Sequence, residues 1–444
     1  MKSKLEGSRE LTSSGFDMTE KYDVIIVGAG PAGVSSAITT AKAGLSTALI
    51  ERGDFAGSKN MFGGIVYSKP TAQIVPEFWK TAPIERRVIE YQYWLLSQES
   101  HVSISHRNQK FNKDFNSFTA LRARFDKWFA QQAETNGAML LTKTTVSGVL
   151  KDSEGRVNGV TTDRGDLSAD VVIACDGVNS LVSKGAGLHD EWKPEDIALA
   201  VKETYALPKE KIEDRFHLRG DEGATVMIYG GRNEEYAGFI YTNKDTISFG
   251  MGAIMSDLAA NKTRPQDILE WLKSHPSIKP LIDGAALREY TAHLIPEGGY
   301  DKIPRIFSDG IMVAGDAAML VNALNWEGTN FAMISGMYSG QAAVQAKRAN
   351  NYTANQLSNY RRYLEECFVL KDLKKFRRVP QFIASKRQFL TLYPELMNDI
   401  FYKFFEVDGR PKQEHLKEIK DEIYTRRGRM GLLKDIYELY RIAT

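Results

Sequence analysis

Two cysteines, Cys175 and Cys367, are all that 444 residues carry. That scarcity excludes a disulfide framework and an iron–sulfur cluster held by this chain alone, which needs four thiolates. A reducing cytoplasm is the expected setting. No run of about eighteen apolar residues occurs, so no segment reads as a membrane-spanning helix. The first twenty residues also lack the apolar centre of a signal peptide; residues 1–18 are expected to be a disordered extension, with Met18 an equally good start. A formal net charge of +2 leaves no global attraction for nucleic acid, so any charged partner must be met locally. The seven histidines (His101, His106, His189, His217, His275, His293 and His415) show no HxxxH or HExxH spacing, and none is a candidate ligand or catalytic base. There is no second GxGxxG and no CxxxxC pair, which excludes a separate NAD domain and a dithiol relay.

What the chain does contain is one complete phosphate-binding unit, Lys21 to Ser58. Val24–Val27 is an apolar β-branched run, Pro31–Ala43 a small-residue helix, and Leu45–Ile50 a second strand closed by Glu51. Between strand and helix, Gly28, Gly30 and Gly33 form GxGxxG. Gly28 permits the tight turn, Gly30 admits a pyrophosphate to the backbone, and Gly33 lets helix and strand pack closely. The phosphates then meet N–H groups at the positive end of the helix, and Glu51 accepts from ribose hydroxyls. Further on, Ala314-Gly315-Asp316-Ala317-Ala318 breaks an apolar strand and opens a helix. Alone, Asp316 reads as a helix cap; paired with the fingerprint it reads as the ribityl-binding acid of an FAD protein. Gly328, Thr329 and Asn330 open the next helix, whose N–H groups can stabilise negative charge at the flavin N1/C2=O locus.

The remaining segments divide by texture. Glu90–His106 reads as strands of a second sheet, Phe118–Gly137 as an amphipathic helix, and Leu140–Leu150 with Arg156–Thr162 as strands about the turn DSEGR. Asp170–Asn179 reads as a buried strand. Alternating strands with a helix at Pro265–Ser274 fill residues 188–304, and the chain beyond Tyr360 is helical. The expected architecture is α/β: a discontinuous Rossmann-like FAD-binding domain (19–88, 117–187 and 305–360), an inserted α+β sheet domain (89–116 and 188–304), and a C-terminal helical region (361–444). The loop KNMFGGIVYSKP, with Gly63 and Gly64, is expected on the flavin side.

These motifs together resemble the FixC and electron-transfer-flavoprotein:quinone oxidoreductase family, itself related to geranylgeranyl reductases. The resemblance rests on the fingerprint with IERG, on GSKN at Gly57–Asn60, on LRARFDKW, ACDGVNS and GDAAMLVNALNWEGTN, and on FVLKDLKKFRRVP with TLYPELMNDIF. It implies non-covalent FAD, with Arg52 within the ribose-side motif and Arg122 facing the phosphates. It also implies Val146 at the adenine, Asp176-Gly177 as a second cofactor turn, and Ser58 with Lys59 near the isoalloxazine ring. The bland readings are a solvated helix charge for Arg122 and an exposed loop lysine for Lys59. The implied partners are an electron transfer flavoprotein, a quinone and a separate ferredoxin-like iron–sulfur subunit. Alternative roles are reduction of prenyl-lipid double bonds and a structural subunit with redox-inert FAD. Lys371–Arg387 interleaves basic and apolar residues, as a peripheral membrane contact, a solvated face or a docking face would.

Overall fold

The structure, a computed structural model, describes residues 21–59, 64–232 and 235–443; the expected N-terminal extension, Asn60 and Gly63 lie outside the described residues. Lys21–Val27 runs between two parallel neighbours, Gly165–Ala174 on one side and Thr47–Ile50 on the other. Met139–Leu141 extends the sheet beyond Thr47–Ile50, and Ile311–Val313 extends it beyond Gly165–Ala174. Ile25, Ile26, Leu49, Val172 and Ile173 are fully buried, as continuous apolar strands covered on both faces must be. Val146–Lys151 and Val157–Thr162 form an antiparallel branch from this sheet.

Two helices pack together beside the nucleotide turn. Pro31–Lys42 lies against Thr329–Ala349, and glycine permits the approach: a Cβ on Gly336 would stand 1.9 Å from the Ala32 carbonyl oxygen, and one on Gly340 would stand 2.8 Å from Thr39 Cβ. Because the second helix comes from the far end of the chain, the Gly315–Asp316 turn is held against the first turn of the fingerprint helix.

Among the described residues the second sheet has nine strands. Along the main path they run Ala286–Pro296, Ile197–Ala206, Thr246–Ile254, Ala237–Thr242, Glu222–Gly230, Arg87–Leu96, Ser117–Thr119 and Ile65–Tyr67, with His101–Arg107 paired to Arg87–Leu96. One face is apolar: Trp94, Val226, Ile228, Ile240, Phe249 and Met251 pack with Ile212, Ile268 and Leu272 of two covering helices. Side chains alternate along strands, so the opposite face carries the other register. Paired rows there read Lys202, Gly250, Phe239, Met227, Tyr93 and Thr204, Ser248, Tyr241, Thr225, Tyr91. This polar, tyrosine-rich face is turned toward the nucleotide domain.

Several local expectations shift. Ile65–Tyr67 and Ser117–Thr119, expected within the nucleotide-binding part, pair with each other in the second sheet, so the helix expected from Phe118 begins at Arg122. Leu140–Leu150 is two strands, because Lys143 at φ +52° turns the chain between Met139–Leu141 and Val146–Lys151. The strand expected over Asp170–Asn179 starts earlier and ends at Ala174. Beyond residue 358 the chain is helical as expected. Lys371–Arg387, however, is divided between Phe368–Lys375 and Val379–Ser385, with Val379 buried and the Phe382 ring tilted against Phe389, centres 4.9 Å apart. Large exposed apolar side chains gather instead farther along, at Phe404, Phe405, Met430, Leu433, Tyr437 and Tyr440.

Candidate FAD site and the cleft it opens into

The fingerprint turn is shaped by close backbone approach. Gly28 sits at φ +100°, and a Cβ there would lie 2.3 Å from the Cys175 carbonyl oxygen; a Cβ on Gly33 would lie 1.9 Å from that of Gly28. Gly30 is the N-cap of Pro31–Lys42, extended at φ −78° and ψ −177°, and no side chain caps the helix. Proline at the first position has no N–H, so the following N–H groups of the first turn stand free for anionic oxygens. Thr329–Ala349, opened by Gly328, is likewise without a side-chain cap.

Glu51 has a role the motif alone does not reveal. Its two carboxylate oxygens accept from the backbone N–H of Ala29 at 3.1 Å and of Gly53 at 2.7 Å, tying the end of its strand to the fingerprint turn. The adjoining segment from Leu141 to Thr144 runs alongside, with the Thr144 N–H donating to the Glu51 carbonyl, and leads into buried Val146. Arg52 is exposed at the mouth of this region.

Arg122 is not a solvated helix charge. It is 4 % exposed and forms a two-pronged ion pair with Asp126, at 2.7 and 2.8 Å, which holds its guanidinium charged. Gly57, at φ +90°, packs directly on this pair, bringing the Gly57–Lys59 loop to it. Ser58 Oγ is buried without a partner, while Lys59 is exposed. Asp176 accepts from the Val182 N–H through Oδ2, leaving Oδ1 buried and unpaired, and the next turn residue, Gly177, has φ +73°. Gly315, at φ +67°, donates its N–H to Ser335 Oγ at 3.0 Å and leaves no room for a side chain against Ala32. Asp316 caps nothing among the described residues. It is surrounded by protein yet still reached by water, as the wall of an interior cleft would be; burial pushes its pKa up to about 6 despite the pull of Arg122. Asp176 is likewise pushed up to about 6.

The residues present fit FAD. Two uncapped helix N-termini, an unpartnered acid at Asp316, and buried unpaired oxygens on Ser58, Asp176 and Asn330 await hydrogen-bonding partners along one cleft. Across that cleft stand groups that no motif marks. Burial lowers Lys202 to about 8 and His293 to about 4, the latter also repelled by Arg122 and Arg52; burial and Asp316 raise Glu297 to about 7. Burial raises Tyr67, Tyr229 and Tyr241 well above the ordinary phenol value and raises Tyr91 too, so all four remain protonated donors. Their only sequence signal is period-two alternation, as in YQYW and TVMIYGG.

A glycine-shaped nucleotide turn, a buried acid at Asp316 beside it and a second sheet closing over the cleft fit an FAD-dependent oxidoreductase, and residues 23–222 match the FAD dependent oxidoreductase family model. Residues 379–443 match the ETF-QO/FixC family C-terminal domain. Protein FixC of Azorhizobium caulinodans is 44 % identical over 429 residues, covering 95 % of this chain and 99 % of that protein. The probable electron transfer flavoprotein-quinone oxidoreductase YdiS of Escherichia coli is 38 % identical, with 94 % and 97 % covered. The chain belongs to the FixC/electron-transfer-flavoprotein:quinone oxidoreductase family, and its cofactor is FAD. Among solved structures, a geranylgeranyl bacteriochlorophyll reductase-like protein from Thermoplasma acidophilum shares the fold, with a TM-score of 0.71 at 21 % identity over 95 % of this chain and 99 % of that one. The flavin-dependent brominase Bmp2 does so at a TM-score of 0.63 and 18 % identity, over 92 % and 100 %. No helix among the described residues is long and apolar enough to cross a membrane.

Proposed function

We propose that this chain is the FAD-bearing electron-transfer subunit of a FixC-type system, passing electrons between an electron transfer flavoprotein and a quinone or ferredoxin-like acceptor. The observation that carries the reading is similarity to FixC proteins along nearly the whole chain, including the C-terminal region that other flavoproteins of this fold need not share. Bound FAD supplies the hydride and electron chemistry. The chain's residues bind and orient: free N–H groups after Gly30 hold the pyrophosphate, Asp316 the ribityl hydroxyls, and the segment leading into Val146 the adenine side. Arg122 places positive charge toward the phosphates, and Arg52, Ser58 and Lys59 border the cofactor beside the Asp176–Gly177 turn. Gly328, Thr329 and Asn330 present a helix terminus to the flavin ring. FAD is held non-covalently, since these contacts are polar or backbone. The second sheet excludes bulk water and receives the acceptor.

Because the chain has only two cysteines, any iron–sulfur cluster belongs to a separate subunit. The exposed Phe404, Phe405, Met430 and Leu433 offer apolar surface for a peripheral membrane contact, which the basic segment Lys371–Arg387 does not. The test is purification from native cells, with identification of bound proteins and a flavin spectrum. Recovery of electron transfer flavoprotein subunits and an iron-containing small protein is expected. A solitary flavoprotein that saturates prenyl chains unaided overturns the reading.

A further inference from the structure

The loop before the long helix has an unusual build. Asn322 and Glu327 exchange both backbone hydrogen bonds, at 2.9 and 3.2 Å, closing a tight turn in which Trp326 is forced to φ +54°. A bulky residue in the left-handed region is strained, and the strain aims the neighbouring side chain. Trp326 meets Tyr229 of the second sheet edge-on, with ring centres 5.8 Å apart. Glu327 stands next to Gly328, so its carboxyl lies between the helix end assigned to the flavin ring and the tyrosine-rich face.

Its surroundings favour the protonated form. Among the described residues no lysine or arginine pairs with it; Asn330 Nδ2 donates to its carboxylate at 3.4 Å, and the neutral side chains of Asn325 and Tyr67 stand close to it. The titratable groups facing it are Tyr67 and Tyr91 from the sheet and Asp372 from the helix Phe368–Lys375. Burial and Asp372 raise its pKa, and the hydrogen bonds only partly oppose that. The Tyr91 hydroxyl is tied to Ser117 Oγ at 2.6 Å and to Asn116 Nδ2 at 3.2 Å, and Tyr67 pairs with Ser117 across the strands. Tyr67 lies on the outermost strand of the main path, and Ser117 and Tyr91 continue inward from it, so the acid borders a hydroxyl-rich wall of the sheet. Asn330 Oδ1 and Thr225 Oγ1 are buried without partners in the same region.

This combination suits a planar ring with two carbonyls. Neutral tyrosine hydroxyls can donate to quinone oxygens, whereas an isolated alkene has no acceptor for them. Resting on the electron-transfer reading above, we propose that Glu327, beside Tyr67, is the proton donor for reduction of a quinone bound against the tyrosine face. Bound reduced FAD would supply two electrons and one proton; the Glu327 carboxyl gives the second proton to the quinone, which leaves as the quinol, and the carboxylate left behind regains its proton from solvent.

The experiment uses the FAD-loaded protein, reduced photochemically and reoxidised in rapid mixing by decyl-ubiquinone or by ferricyanide, which takes electrons without protons. Glu327→Gln is expected to slow the quinone reaction at least tenfold and to abolish its pH dependence and solvent deuterium effect. Flavin content and the ferricyanide rate should match wild type. Tyr67→Phe should give a smaller slowing of the same kind. An infrared difference spectrum, oxidised minus reduced, should contain a protonated-carboxyl band that Glu327→Gln removes. Unchanged quinone kinetics in Glu327→Gln, or equal slowing with both oxidants, overturns the proton-donor role while leaving the electron-transfer reading intact. A wild-type protein that reduces ferricyanide but no quinone overturns quinone as the acceptor, and the proposal with it.

Discussion

The two sheets meet across one cleft but carry their chemistry in different ways. On the nucleotide side, the proposed FAD contacts sit in backbone: glycines whose missing side chains let carbonyls and N–H groups come close, and two helix ends without caps. On the facing side, the proposed acceptor contacts sit in side chains projecting from regular strands, with Tyr91, Tyr93, Lys202 and Tyr241 in one register and the domain's own core in the other. A backbone site tolerates almost no substitution at its glycines, whereas a face of side chains can be altered one contact at a time. That contrast orders the expected effects of change.

The largest falls on Gly33. A valine there would press into the Gly28 carbonyl oxygen, 1.9 Å from the added Cβ, and the backbone must move; overpacking of this kind costs about 3 kcal/mol or more. Gly33→Val should purify without flavin and unfold at a lower temperature, and retention of full flavin would break the contrast at its strongest point.

Next comes Asp316→Ala. Removing an ionised acceptor from buried hydroxyls costs roughly 1.5–3 kcal/mol, or about ten- to a hundredfold in FAD affinity, measurable as flavin lost on dilution.

The same residue makes a prediction of opposite sign for the flavin-free protein. Its pKa rises from 3.8 in the unfolded chain to about 6 in the fold, so the native state holds the proton longer. The stabilising contribution is fully present below pH 3.8 and is lost as pH rises through about 6. The difference converts to roughly 3 kcal/mol at most. Asp316→Asn should therefore stabilise the flavin-free protein relative to wild type above pH 6, and lose that advantage below pH 4, in denaturant titrations at both pH values. Equal pH profiles for the two proteins would mean that Asp316 is better solvated than its place in the cleft implies.

On the facing side, Tyr229→Phe removes one hydroxyl and keeps the ring. A loss of about 1 kcal/mol, several-fold in quinone KM with unchanged flavin content, is expected. Loss of flavin in this variant would show that the faces are not separable. The smallest effect belongs to the thiols. Burial raises both, but Cys175 is 7 % exposed on the central sheet whereas Cys367 is half-buried near a helix end. Alkylation under native conditions should label Cys367 slowly and Cys175 only on unfolding, with the flavin spectrum unchanged.

The same contrast explains what could be read from the chain beforehand. GxGxxG with Glu51 is legible because each residue meets a local steric demand within one strand–turn–helix unit. The Gly315–Asp316 turn becomes legible once paired with it. The facing side depends on which distant strand lies beside which. Tyr67 reads as part of a glycine loop until its pairing with Ser117 is known, and Phe118 follows helical spacing into Phe125 although the ladder claims it as strand. Lys143 turns the chain because the next residues run beside Glu51 and Gly53, a tertiary contact with no local signature. His293 is a lone histidine at an alternate strand position, and nothing in its neighbours marks it. The Arg122 ion pair, by contrast, was available as an i, i+4 spacing, although its burial was not.

The order of strands in the nucleotide sheet bears on how the protein comes to exist in a cell. Lys21–Val27 is made before its neighbour Gly165–Ala174, and Ile311–Val313 and the helix bearing Gly336 come later still. At translation rates of about 5–20 residues per second, the earliest strand waits on the order of 15–60 seconds for its sheet to be completed. During that interval an apolar edge stands open to chance pairing. The fingerprint turn cannot be locked by Gly315 until the segment bearing Gly315 has been synthesised. Nascent chains of this protein should therefore depend on chaperones, and flavin should be acquired only after that segment has emerged.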